Sequence, residues 1–178
     1  MHKKDTYKTI TLLSQQVWTL ADVKSYMRIE DSYDDILIKG LIEAAIVAAE
    51  NFTKLSIIAR QMEFTGHINH RKEFDLRYKP ILEIEKIVII SGEKKIELQK
   101  EQYSVHCDHA ILYFNQRIED CKLMVQYLAG YEKNSIPQSI KHGILLHVAE
   151  MYDRERHDAT ALSTEIKNLY LPYRQLKV

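Results

Sequence analysis

A chain of 178 residues with 46% hydrophobic and 28% charged side chains carries enough apolar material for one domain or two small subdomains. Its 25 basic and 25 acidic residues cancel to a formal charge of zero, which argues against a sequence-independent DNA binder, whose phosphate contacts call for a basic excess. Five glycines and three prolines argue against a linker-rich or low-complexity chain.

The two cysteines, Cys107 and Cys121, read as free thiols of a reducing compartment or as a single disulfide. No signal peptide is expected: Met1–Lys8 is basic, but Ile10–Leu13 is too short for an apolar segment. Charges interrupt every apolar run before the roughly 20 residues of a membrane span, so no membrane contact is expected. These features point to a protein made and kept in the cytoplasm of its producing cell.

Residues 1–16 are polar and mixed and are expected to form a flexible N-terminal arm ahead of a single domain over 17–178. Thr19-Leu20-Ala21-Asp22 reads as a capping box, and Leu20, Val23 and Met27 then recur at helical spacing, predicting a helix over 19–29. A second, long helix is predicted over 32–55. Ser32 can cap it with Asp35 reaching back, and Asp34 and Asp35 sit where the helix dipole favours anions. Lys39, Glu43, Glu50 and Lys54 form its single polar stripe, and the rest of its girth is apolar or small. Such a helix either threads its own domain or holds one side for another chain, and the pattern leaves both open.

After Leu55 the period changes. Gln61–Ile68, Glu73–Tyr78, Ile84–Ile90, Lys95–Gln99, Gln102–His106, Ala110–Phe114 and Lys122–Leu128 read as short strands with turn residues between several of them. Ile87–Ile90, apolar on both faces, is the best candidate for a central strand. A helix over 137–157 opens at Pro137 and lines one face with Ile140, Ile144, Val148 and Met151. A last short helix over 161–171 stops at Pro172, leaving a tail over 172–178. The expected fold is α+β: mainly a helical bundle, with a small antiparallel β insertion over 61–129 between the second and third long helical segments.

Sequence signatures of catalysis are missing: there is no Gly-rich phosphate loop, GxSxG elbow or HExxH. No catalytic residue, metal ligand or cofactor is assigned. One cluster supports an alternative function, a small metal-binding or regulatory domain: His106-Cys107-Asp108-His109, with Cys121 downstream and His67 and His70 upstream. Paired, short-spaced ligands on both sides are lacking, which favours a polar hairpin turn holding two histidines. His142 and His147 are five apart and do not share a helix face. Eleven tyrosines against one tryptophan suit either subunit contacts or capping of the β segment.

The order of these segments carries a resemblance. TLADVKSYMRI, the acidic turn EDSYDD and ILIKGLIEAAIVAAENFT are followed by a β region closing on VQYLAGY. IPQSIKHGILLHVAEMYDRE and a terminal LYLPYR complete the chain. Over about residues 17–175 this resembles the head–tail connector (adaptor) proteins of long-tailed phages, prophages and gene transfer agents. The resemblance implies a non-enzymatic structural protein forming a ring of identical copies, expected to number twelve, at the head–tail junction of a virion or phage-like particle assembled in the bacterial host cytoplasm. The implied partners are the portal protein and a downstream tail-completion or stopper protein, with DNA passing through the channel without sequence-specific binding. In such a ring, Leu37, Leu41, Ala45, Ile46, Ala49 and Phe52 of the long helix are the expected oligomer interface. Leu169, Leu171, Pro172, Tyr173, Arg174 and Leu176 are the expected portal-docking residues.

Overall fold

The computed structural model describes residues 5–12, 17–68, 71–154 and 162–175. The chain divides into two compact units, one of residues 58–131 with the N-terminal strand, the other of residues 15–57 and 132–178.

The first unit is β. Its strands are β1 (Thr6–Leu12), β2 (Arg60–Ile68), β3 (Arg71–Asp75), β4 (Ile81–Ser91), β5 (Lys94–Glu97), β6 (Tyr103–His106), β7 (Ile111–Ile118) and β8 (Cys121–Ala129). They form two antiparallel sheets, a five-stranded one in the order β1-β2-β8-β4-β5 and a three-stranded one in the order β3-β7-β6. β8 is central, paired in continuous register with β2 from Arg60↔Ala129 to Ile68↔Cys121. Cys121, Leu123, Val125, Tyr127 and Ala129 alternate inward along β8, as the two-residue period of a strand dictates. They meet Met62, Phe64 and Ile87 of the same sheet and Leu112 and Phe114 of the other in one core. Phe64 stacks between Tyr7 at 4.9 Å and Phe74 at 4.7 Å. Each such side chain contributes about 1.5–3 kcal/mol on full burial.

Two glycines are required by geometry. Gly92, at φ +60°, makes the two-residue turn between β4 and β5. Gly130, at φ +122°, follows β8 and donates its N–H to the Pro80 carbonyl at 2.8 Å. A Cβ on Gly130 would stand 2.7 Å from the Ala59 Cα.

The expectation of a mainly helical bundle with a small β insertion is overturned: eight strands in two sheets take up 38% of the structure against 36% for helix. Each of the seven segments read as strands contains a strand, though Glu73–Tyr78 is one only as far as Asp75 and gives way to a bend with Tyr78 at φ +63°; together they enclose a core of their own rather than decorate a bundle. The eighth, β1, lies within the stretch taken for an arm. Its TYKTITL is rich in β-branched residues, but a register shift between Thr9 and Thr11 breaks the alternation that would have announced it. β4, with Ile87–Ile90, is internal but off-centre, between β8 and β5.

The second unit is helical: α1 (Leu20–Met27), α2 (Asp35–Thr53), α3 (Gln138–Arg154) and α4 (Thr164–Tyr170), with a 3-10 turn at Leu171–Tyr173. The Thr19 capping box forms: Thr19 Oγ1 accepts from the Asp22 N–H at 3.1 Å, and the Asp22 carboxylate accepts from the Thr19 N–H at 3.2 Å. The Thr19 side-chain bond, then its backbone bond, holds the Asp22 carboxyl below its ordinary range. The capping box expected at Ser32 does not form. Asp35, which would have reached back, is paired with Lys24 at 2.6 Å, and Asp34 takes the N-cap position without a side-chain cap bond, its carboxylate accepting from the Tyr152 hydroxyl. α2 packs on α3, burying Ile38, Ile42, Ala45, Ala49 and Thr53 on one stripe, while Ile140, Ile144 and Val148 are buried along α3.

α4 enters through Ser163, which accepts from the Ile166 N–H at 3.3 Å and donates to Glu150 at 2.7 Å. It ends on Tyr170, a fully buried ring lying against Gly143 of α3. A Cβ on Gly143 would fall 2.4 Å from Tyr170 Cε1. Burial raises the Tyr170 phenol pKa, and among the described residues its oxygen has no hydrogen-bond partner. Gly143→Ala is therefore expected to lose about 1–3 kcal/mol by overpacking. Tyr170→Phe, which removes an unsatisfied buried hydroxyl, is expected to be neutral or to gain up to about 1 kcal/mol. Urea unfolding of the two variants against wild type checks both signs.

Candidate assembly surfaces

α2 is apolar nearly all round, yet only one side is covered within its unit. On the other side Ile36 is 87% exposed and Val47 55%, with exposed Gly40 and Ala44 between them and Lys39 and Glu43 beside them. Among the described residues, a Cβ on Gly40 would meet no atom within 4 Å beyond its own stretch of helix. Of the six residues expected at an oligomer interface, Leu37, Leu41, Ile46 and Phe52 are half-buried along the flanks of the helix. Ala45 and Ala49 are fully buried and serve the subunit's own core. Ile36 and Val47 were not singled out in the sequence, because a helix with aliphatics on every side does not show which side faces out.

The α1–α2 turn is held from several directions. Lys24 Nζ donates to the Asp31 carbonyl and to Asp35, the Asp31 carboxylate accepts from the Tyr33 N–H at 3.0 Å, and Tyr152 donates its hydroxyl to Asp34 at 2.6 Å. The turn thrusts Tyr33 outward at 94% exposure, next to Ile36. The signal for this pair was present as an aromatic and an aliphatic among four acids.

At the other end of α2 the C-terminal segment turns back onto the helix. Arg174 lies over the Phe52 ring at 5.1 Å, and the Gln175 N–H donates to the Thr53 carbonyl at 2.8 Å. Leu171 (56%), Pro172 and Arg174 are exposed, Leu169 and Tyr173 half-buried. Leu176 lies outside the described residues.

The His106–His109 turn joins β6 to β7. Its two histidine rings sit 4.6 Å apart, and Cys107 between them is exposed and free. Cys121 is buried in the five-stranded sheet, in a strand that pairs with β2 and β4 rather than with β6 or β7. Burial raises its thiol pKa. His67 faces Asp120 at 3.7 Å, and His70 is outside the described residues. Among the described residues no three His, Cys, Asp or Glu side chains gather as a metal site. His142 meets Tyr26 edge-on at 6.1 Å and His147 is buried, so the two have separate surroundings. Among the described residues, no helix is long and apolar enough to cross a membrane.

Among the described residues, the chain comprises a two-sheet β unit and a four-helix unit, the latter with exposed apolar side chains at Tyr33, Ile36, Val47 and Leu171. The head completion protein family profile matches residues 16–166, and the chain belongs to that family, among the head–tail connectors. Among solved structures, a chain in the neck of an empty gene transfer agent particle, computed with C6 symmetry, superposes with a TM-score of 0.80 at 15% identity, over 97% of each chain. A chain of the virion of a native gene transfer agent particle does so with a TM-score of 0.72 at 15% identity, covering 97% of this chain and 96% of its own. A chain in the neck of a native particle, computed with C12 symmetry, gives 0.72 at 16% identity over 97% of each. At these identities the likeness establishes the fold. No curated protein matches the chain.

Proposed function

We propose that this protein is a non-enzymatic head–tail connector that closes into a ring between the portal and the tail of a phage-like particle and extends its DNA channel. The observation that carries the reading is membership of the head completion family together with a fold shared over its whole length with chains of gene transfer agent necks. The C6 and C12 symmetries of those necks point to a ring in multiples of six. A ring needs two different faces on each subunit that meet head to tail. The uncovered side of α2 is one: Ile36 and Val47 at its centre, with Leu37, Leu41, Ile46 and Phe52 along its edges. The C-terminal end, Leu169 to Arg174, supplies the portal contact through exposed Leu171 and Pro172. A formal charge of zero suits a channel wall that lets DNA slide.

Native mass spectrometry over a concentration series tests the ring. A species of six or twelve copies is expected, by itself or on addition of purified portal. A chain that stays monomeric with portal present would refute it.

A further inference from the structure

The run His106-Cys107-Asp108-His109 has no part in the ring face or the portal contact, and the fold gives it a geometry of its own. His106 ends β6 opposite Ile111 of β7, and Cys107–Ala110 make the turn between the two strands. The Ala110 N–H closes that turn by donating to the Cys107 carbonyl at 3.2 Å. The same carbonyl accepts from the Ile81 N–H of β4 at 3.0 Å, and the Ala110 carbonyl accepts from the Leu76 N–H at 2.8 Å. Ala110 is fully buried, while His106, Cys107, Asp108 and His109 all stand exposed. The backbone carrying both histidines is thus tied down, and their two rings lie 4.6 Å apart at a tilt of 47°. A metal ion bonded to two imidazole nitrogens at about 2.0–2.1 Å, with the ligands about 90–110° apart, sets the ring centres about 4.5–5.3 Å from each other.

We infer that His106 and His109 form an open, two-imidazole site for a divalent ion of the nickel, copper and zinc group. Imidazole suits these ions, whereas hard ions such as Mg2+ take oxygen ligands. Among the described residues no third His, Cys, Asp or Glu gathers with the pair, so the site is not the closed, four-ligand cage of a structural zinc. Water fills the positions that the two rings leave open. Asp108, between the rings in sequence and exposed beside them, adds a negative charge that favours a cation. Because the turn is held by backbone bonds to Ile81 and Leu76, the two ligands need no reordering to bind, which lowers the entropy cost of capture. The site lies wholly within the β unit and stands whether or not the ring forms.

Isothermal titration calorimetry of the full chain with Ni2+ and with Zn2+ tests the site, with Mg2+ as the hard-ion control. Each of the first two ions is expected to bind, and Mg2+ is not. His106→Ala and His109→Ala should each weaken Ni2+ binding by about tenfold or more, since even residues that only support a metal ligand are worth that much. Both side chains are exposed, so far-UV circular dichroism of each variant should match wild type and separate lost binding from lost folding. His67→Ala, whose ring faces Asp120 instead, should bind Ni2+ like wild type. Absence of Ni2+ and Zn2+ binding, or wild-type affinity in a folded His109→Ala chain, would overturn the inference. Cys107→Ser is expected to keep the Ni2+ affinity; a loss as large as that of His109→Ala would overturn the two-imidazole set by making the thiolate a ligand.

Discussion

Gly130→Ala is expected to destabilise the protein by about 4 kcal/mol and to lower the melting temperature by roughly 10 °C. Two costs add. At φ +122° an L side chain is strained, at about 1–3 kcal/mol. The new Cβ would also stand 2.7 Å from Ala59 Cα, 2.8 Å from the Ile58 carbonyl oxygen and 2.9 Å from the Ala59 nitrogen. Those atoms are backbone, and Ile58 is bridged in turn to Tyr131, so the overlap has no flexible side chain to absorb it. Gly92→Ala is the control, since its φ is +60° but among the described residues no atom beyond its chain neighbours lies within 4 Å of the added carbon. It should cost only about 1 kcal/mol. Circular dichroism melts of both variants measure the difference, and equal losses would mean that backbone strain alone, not the Ala59 contact, makes glycine necessary at 130.

Ala45→Glu and Val47→Glu, two residues apart on α2, are expected to fail in different ways. Ala45 is fully buried in the helical unit, so a carboxylate there has no solvent and no partner. The loss should exceed about 4 kcal/mol and leave no folded helical unit. Val47 is 55% exposed on the uncovered side, and a charge there should change stability by no more than about 0.5 kcal/mol. What Val47→Glu should remove is the ring, because the same carboxylate would have to be buried against the neighbouring copy. Melting curves separate the two classes and native mass reads the assembly. A Val47→Glu chain that still forms rings would take the contact away from this side of α2.

The elements were largely legible in the sequence, because local periodicity is a local property. The Thr19 capping box, the apolar run of α2 and the strand segments Gln61–Ile68 and Lys122–Leu128 are each local in the chain, and the structure keeps them all. The proportions were not legible. β1 was hidden by a shift in its own register, and nothing in the chain announces that the strands close over a shared core. The site was read less well than the fold, for a related reason. A long helix with aliphatics on every side leaves open which of them its own unit will cover; that choice belongs to the packing partners, and the helical unit took Ala45 and Ala49.

By itself, then, the sequence determined the character of this protein: neutral, free of catalytic signatures, strands between helices, and ordered along its length like a head–tail connector. Tertiary structure alone decided which residues are left for other chains. Exposure is a property of the packed whole: Ile36 and Ile38 are the same residue type two positions apart, yet one stands in solvent and the other in the core.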